Sequence, residues 1–188
     1  MTLASCDSRK TAGENPFFTE WDTPHGVPPF DKILPEHFMP AFERGMSLHE
    51  AEIDAITSNK DEASFETTIL AYDNAGLMLA QTELVFGMLC AAETNDRMQA
   101  LQEQAMPLLA AHRDKIRLDD KLFVRVKEVY DRRAALGLDA EQMRLLQKTY
   151  DSFVRAGALL DAEQKARLKE INGQLSLTAV KFGNNILA

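Results

Sequence analysis

The stretch Asn15–Met46, NPFFTEWDTPHGVPPFDKILPEHFMPAFERGM, constrains the fold more than any other part of the chain. Pro24, Pro28 and Pro29 forbid a regular helix there, because each fixes φ, lacks an N–H and pushes the residue before it towards extended backbone. Gly26 permits a turn between them. Phe17, Phe18, Trp21 and Phe30 are spread along this strap. Each ring gains on the order of 1.5–3 kcal/mol by leaving water, so the strap is expected to lie across a helical surface with its rings buried. Pro35-Glu36-His37-Phe38 then opens a helix, with proline at the first helical position and Glu36 at the positive end of the dipole. Pro40 removes one hydrogen bond early in that helix and predicts an irregular first turn.

The remainder is rich in Ala, Leu, Glu, Gln, Lys and Met and poor in β-branched residues, which favours an all-α fold. About six helices follow the strap. The first runs from Glu36 to about Ser58, with Phe38, Phe42, Met46, Ile53 and Ile56 near helical spacing. Ser64 is placed to cap a second, Phe65 to Glu93. Its segment Ala75–Ala92 is apolar nearly all round, which predicts a central helix buried on most faces. A membrane span is the competing reading, opposed by Gln81, Thr82 and Glu83 at its middle. Asn95 caps a third helix to about Ile116, which Pro107 should kink or split. Asp119 or Asp120 starts a fourth, to about Ala135. Gly137 suits a C-cap.

Asp-Ala-Glu-Gln occurs twice, at Asp139–Gln142 and Asp161–Gln164. Each matches a capping box, Asp at N-cap and Gln three residues on, so a fifth helix to about Ala158 and a sixth from Asp161 are expected. In the sixth, Leu168, Ile171, Leu175, Ala179, Phe182 and Ile186 form one apolar stripe that is still running at Ala188. This helix reads as cut, and residues 161–188 are expected to be sticky and to support self-association.

The formal charge of −8, from 21 basic and 29 acidic residues, speaks against nucleic acid or an anionic membrane surface as partner. Residues 1–14 read as a disordered tail, and residues 15–188 as one helical domain. Leu3-Ala4-Ser5-Cys6 matches a bacterial lipoprotein box, which would make Cys6 the lipidated residue, residues 7–14 a tether and the cell envelope the location. The charged and apolar regions of a signal peptide are absent upstream, and a cytoplasmic protein with a chance match is the other reading. Cys90 lies in an apolar run and is expected to pack as a small hydrophobe.

The chain carries no assembled catalytic motif. His49-Glu50 begins a His-Glu-x-x-His pattern, but the second histidine would be residue 53, which is isoleucine. This is read as a chance dipeptide on a solvent-facing helix surface. His25, His37 and His112 show no ligand spacing. Glu62/Glu66 and Asp119/Asp120 are read as caps or surface charges. No catalytic, cofactor-binding or metal-binding residue is assigned.

The run T-P-x-G-x-P-P-F-x-x-I-x-P-E-H-F-x-P-A-F (Thr23 to Phe42) and the block Gly157–Leu187, GALLDAEQKARLKEINGQLSLTAVKFGNNIL, resemble the start of peptidyl-dipeptidases of the thimet oligopeptidase family. These are zinc metallopeptidases that remove dipeptides from peptide C-termini. The resemblance covers nearly all of this chain after Asn15 and only the N-terminal part of the family's longer proteins. It implies a helical cap domain that forms one wall of a channel admitting oligopeptides. Zinc and the catalytic residues would lie in a C-terminal part outside this chain, so the chain alone should be inactive. An endopeptidase of the same family is also compatible with these residues. So is a stand-alone helical interaction protein that kept the fold without the enzyme; the downstream reading frame distinguishes the two.

Overall fold

The computed structural model describes residues 14–93 and 95–187. Cys6 and the lipoprotein box lie outside the described residues, as does nearly all of the proposed tail or tether. Among the described residues there is no strand, and the chain is all-α.

The strap lies on the helices and is held by its first aromatics. The Asn15 side chain caps a 3-10 turn, Pro16–Phe18, by accepting from the Phe17 N–H, and donates to the carbonyl of His37 at 2.8 Å. Phe17 is 6% exposed and packs on Phe38 at 5.3 Å between ring centres. Trp21 meets the edge of Phe17 and donates from Nε1 to the Pro16 carbonyl at 2.9 Å, but it is only half-buried. Arg44 covers the face of Phe18. Phe30 departs from the expectation: it is exposed. It follows the turn at His25 and Gly26, both at positive φ, and Ile33, not Phe30, supplies the buried contact beyond that turn.

Pro35–His37 forms the expected irregular first turn, a 3-10 turn leading into α1, Phe38–Ser58. Ser64 caps the next segment reciprocally with Thr67. Here the single helix expected from Phe65 to Glu93 is replaced by three pieces. Phe65–Leu70 is a π-helical turn, α2 covers Ala71–Asp73, and α3 covers Leu77–Ala92. Gly76 sits between the last two at φ 75°, a left-handed conformation that ends one helix and re-aims the next.

Then follow α4 (Asp96–Arg117), α5 (Asp120–Asp131), α6 (Ala140–Arg155) and α7 (Ala162–Leu187). Asn95, Asp119 and Asp139 are the N-caps of α4, α5 and α6. Both Asp-Ala-Glu-Gln boxes close reciprocally: Asp accepts from the Gln N–H, and the Gln side chain accepts from the Asp N–H. Pro107 does not split α4, which runs through it. The proline forfeits one hydrogen bond, and packing on α1 and α7 holds the helix on either side.

Two apolar clusters share α1. Phe17, Phe38, Phe42, Leu79, Phe86 and Leu109 join the strap, α1, α3 and α4. Ile53, Ile56, Ile69, Val126, Leu146 and Phe153 join the far end of α1 to the π-turn, α5 and α6. Tyr130 of α5 stacks flat on Tyr150 of α6 at 3.9 Å. Arg125 donates to the carbonyls of Asn59 and Asp61, and Arg132 pairs with Glu62 and the Ala63 carbonyl, so α5 clamps the loop that follows α1. Along the first cluster α3 lies on α1, α1 on α4, and α7 on α4.

Candidate functional site

The abortive metal motif is built into helix packing. Ile53 is in the core. His49, expected at the solvent-facing surface, is half-buried instead, because α4 brings His112 against it. His112 Nε2 lies 3.0 Å from His49 Nδ1, and His112 is 5% exposed. His112 Nδ1 lies 3.5 Å from Glu50, outside hydrogen-bond geometry, and Glu50 is bound by Lys115 at 2.8 Å. Glu52 accepts from the Gly76 N–H at 2.6 Å, so the same turn of α1 also holds the start of α3.

Burial holds both imidazoles below the usual histidine range. The neighbouring His112 adds to this for His49, while the nearby carboxylates oppose it for each ring. The hydrogen bond from Lys115 holds Glu50 below the usual carboxylate range. The two facing ring nitrogens are engaged with each other in a hydrogen bond, and two histidines alone fall short of the roughly three protein ligands that a catalytic zinc takes. Among the described residues, no three His, Cys, Asp or Glu side chains converge as a metal site.

The remaining candidates lie apart from this pair. His37 is buried, and its Nδ1 accepts from the Leu34 N–H at the head of α1. His25 is exposed in the turn of the strap. Glu62 pairs with Arg132, Asp119 caps α5, and Asp120 pairs with Lys165 of α7. Cys90 is half-buried beside the first cluster, and burial pushes its thiol up to about 11, which keeps it protonated and unreactive at neutral pH.

What the molecule presents outward is apolar surface on two helices. In α7, Val180 faces inward, and Asn172 donates to Asp114 of α4 at 2.8 Å. The opposite face carries Ile171, Leu175, Phe182 and Ile186, the last three 63%, 66% and 68% exposed. This is the stripe seen in the sequence, and it spans about 22 Å of helix at 1.5 Å per residue. In α3, Leu79, Thr82, Val85 and Phe86 are buried, but Leu77, Leu84 and Met88 are exposed. The expectation of a helix buried on most faces therefore holds on one side only. Phe65–Ala92 is long and apolar enough by composition to cross a membrane; the left-handed break at Gly76 divides it within the helical bundle.

This surface belongs to an all-helical scaffold. No family model matches the chain. Individual relatives do. The chain is 40% identical over 174 residues to a dipeptidyl carboxypeptidase of Escherichia coli (strain K12), an alignment that covers 93% of this chain and 26% of that protein. It is 38% identical to the dipeptidyl carboxypeptidase of Salmonella typhimurium, with the same coverage. It is 22% identical over 165 residues to oligopeptidase A of E. coli, covering 88% of this chain and 24% of that protein. Along most of its length the chain is therefore similar to dipeptidyl carboxypeptidases and, more distantly, to oligopeptidase A. It spans about a quarter of the length of these relatives.

Proposed function

We propose that this chain is the helical channel-wall portion of a zinc-dependent peptidyl-dipeptidase that removes C-terminal dipeptides from oligopeptides. The catalytic zinc belongs to polypeptide outside this chain, and the outer face of α7 packs against that polypeptide. The observation that carries this reading is the row Ile171, Leu175, Phe182 and Ile186, open to water. It occurs in a chain that aligns along 93% of its length with proteins roughly four times as long. Each such side chain gains about 1.5–3 kcal/mol on burial, so a face of this kind is stable when covered. The greater identity to dipeptidyl carboxypeptidases than to oligopeptidase A supports the dipeptidase branch over the endopeptidase branch.

Two measurements test it. The purified chain should neither release dipeptides from a blocked peptide nor bind zinc stoichiometrically at sub-micromolar concentration. Catalytic zinc takes about three protein ligands and a water, and here the only paired histidines bond each other. Chelator-sensitive dipeptide release by the chain alone would overturn the assignment. Co-expression with the catalytic portion of the E. coli dipeptidyl carboxypeptidase should yield a complex that Phe182→Glu disrupts. Failure to associate would favour a stand-alone interaction protein. Localisation turns on Cys6. Palmitate labelling of the protein expressed from its natural start, abolished by Cys6→Ser, would support the cell envelope; no labelling would leave the protein non-lipidated.

A further inference from the structure

The His49–His112 pair has a chemical consequence that does not depend on the peptidase assignment. His49 Nδ1 and His112 Nε2 face each other at 3.0 Å, with ring centres 5.1 Å apart. One of the two nitrogens must donate and the other accept. Glu50 lies on the Nδ1 side of His112, which favours a proton on that nitrogen and leaves Nε2 to accept from His49 Nδ1–H. The contact ties α1 to α4. It also touches α3: a side-chain carbon on Gly76 would lie 2.9 Å from His49 Nδ1, so the ring is pressed against the backbone where α3 begins.

We propose that His49 and His112 are a proton-operated latch between α1, α4 and the start of α3, closed with at most one added proton and open with two. One added proton on His49 leaves an imidazolium donating to an imidazole, and the bond survives. A second proton makes both facing nitrogens donors. No acceptor then remains between them, and two cations share a partly buried contact. The surrounding charges are Glu50 and Glu52 on α1, Glu83 on α3 and Lys115 on α4. Glu50 is already engaged by Lys115, so the carboxylates compensate one imidazolium better than two. Because α3 starts on His49, opening the latch frees the first turn of α3 as well as the α1–α4 seam. The latch would respond to mildly acid surroundings, the range in which histidine pairs charge.

The test follows histidine ring resonances of the whole chain by NMR from about pH 8 to about pH 5, the histidine range, with amide exchange measured in parallel. The expected result is two separated titration steps for His49 and His112, the second accompanied by faster exchange around Gly76 and in the middle of α4. In the same interval the urea midpoint of the wild-type chain should fall more steeply than that of His49→Gln, which cannot take the second proton. Independent titration of both rings in the ordinary range, with exchange unchanged, would overturn the latch. So would equal slopes for wild type and variant. The wild-type titration decides the question by itself if His49→Gln does not fold.

Discussion

Single atoms decide the tightest contacts. A side-chain carbon added at Gly45 would lie 3.0 Å from the Cα of Leu79, so α1 and α3 approach here backbone to backbone. Gly45→Ala must push α3 away and should cost about 1–3 kcal/mol, the range for overpacked interiors. Gly87, on the outer side of α3, has nothing within 4 Å of the same position. Gly87→Ala should stabilise by up to about 0.5–1 kcal/mol, because alanine restricts the unfolded chain and suits a helix interior. Urea titrations of the two variants should therefore move in opposite directions. The histidine pair predicts a further residue-scale effect. Both folded-state pKa values lie below the unfolded value of about 6.5. The unfolded chain thus takes up protons first, and the pair's contribution is fully present above that pH. It is lost as pH falls from about 6.5 through the lowered folded values. Stability measured across this interval should decline on acidification, and a flat profile would contradict the depressed values.

At the scale of elements, the strap is fixed unevenly, and truncations should rank accordingly. Phe17 lies in the first cluster against Phe38, so Phe17→Ala should cost about 3–5 kcal/mol. Trp21 is half-buried and keeps one hydrogen bond to the Pro16 carbonyl; Trp21→Ala should cost less, about 1–2 kcal/mol. Phe30 is exposed, and Phe30→Ala should change the thermal midpoint little. If Phe30→Ala proved as costly as Phe17→Ala, the strap would lie on the helices differently. The caps of α6 and of α7 belong to this scale too, since each box satisfies N–H groups that the first helical turn leaves unbonded.

For the molecule as a whole, the bare face of α7 governs behaviour in solution. An isolated chain with Leu175, Phe182 and Ile186 open to water is expected to associate through residues 161–188 at micromolar concentration. The paired variant Leu175→Glu and Phe182→Glu should remain monomeric by light scattering with an unchanged helical circular dichroism spectrum, because neither residue takes part in the core. A monomeric wild-type chain would show that the face tolerates water by itself.

Much of this protein was legible one segment at a time. Capping boxes are hydrogen bonds between residues three apart, so Asp139 with Gln142, Asp161 with Gln164, and the caps Ser64 and Asn95 could be placed from sequence alone, whereas the choice between Asp119 and Asp120 was made by the structure. Composition alone made the fold all-α, and proline made the strap. The relatives' family, too, was legible in the two blocks around Thr23–Phe42 and Gly157–Leu187. Facing was not. The segment from Ala75 to Ala92 is apolar nearly all round, so its pattern carries no direction. Only the position of α1 decided that Leu79, Val85 and Phe86 turn inward while Leu77 and Leu84 turn out. Phe30 and Phe17 are the same residue type in the same strap, and the turn at His25 and Gly26 separated their fates. His49 and His112 are 63 residues apart, with nothing local to mark either. Their contact exists because the α1–α4 packing angle places two ring nitrogens within hydrogen-bond reach, a distance set by every side chain between those helices.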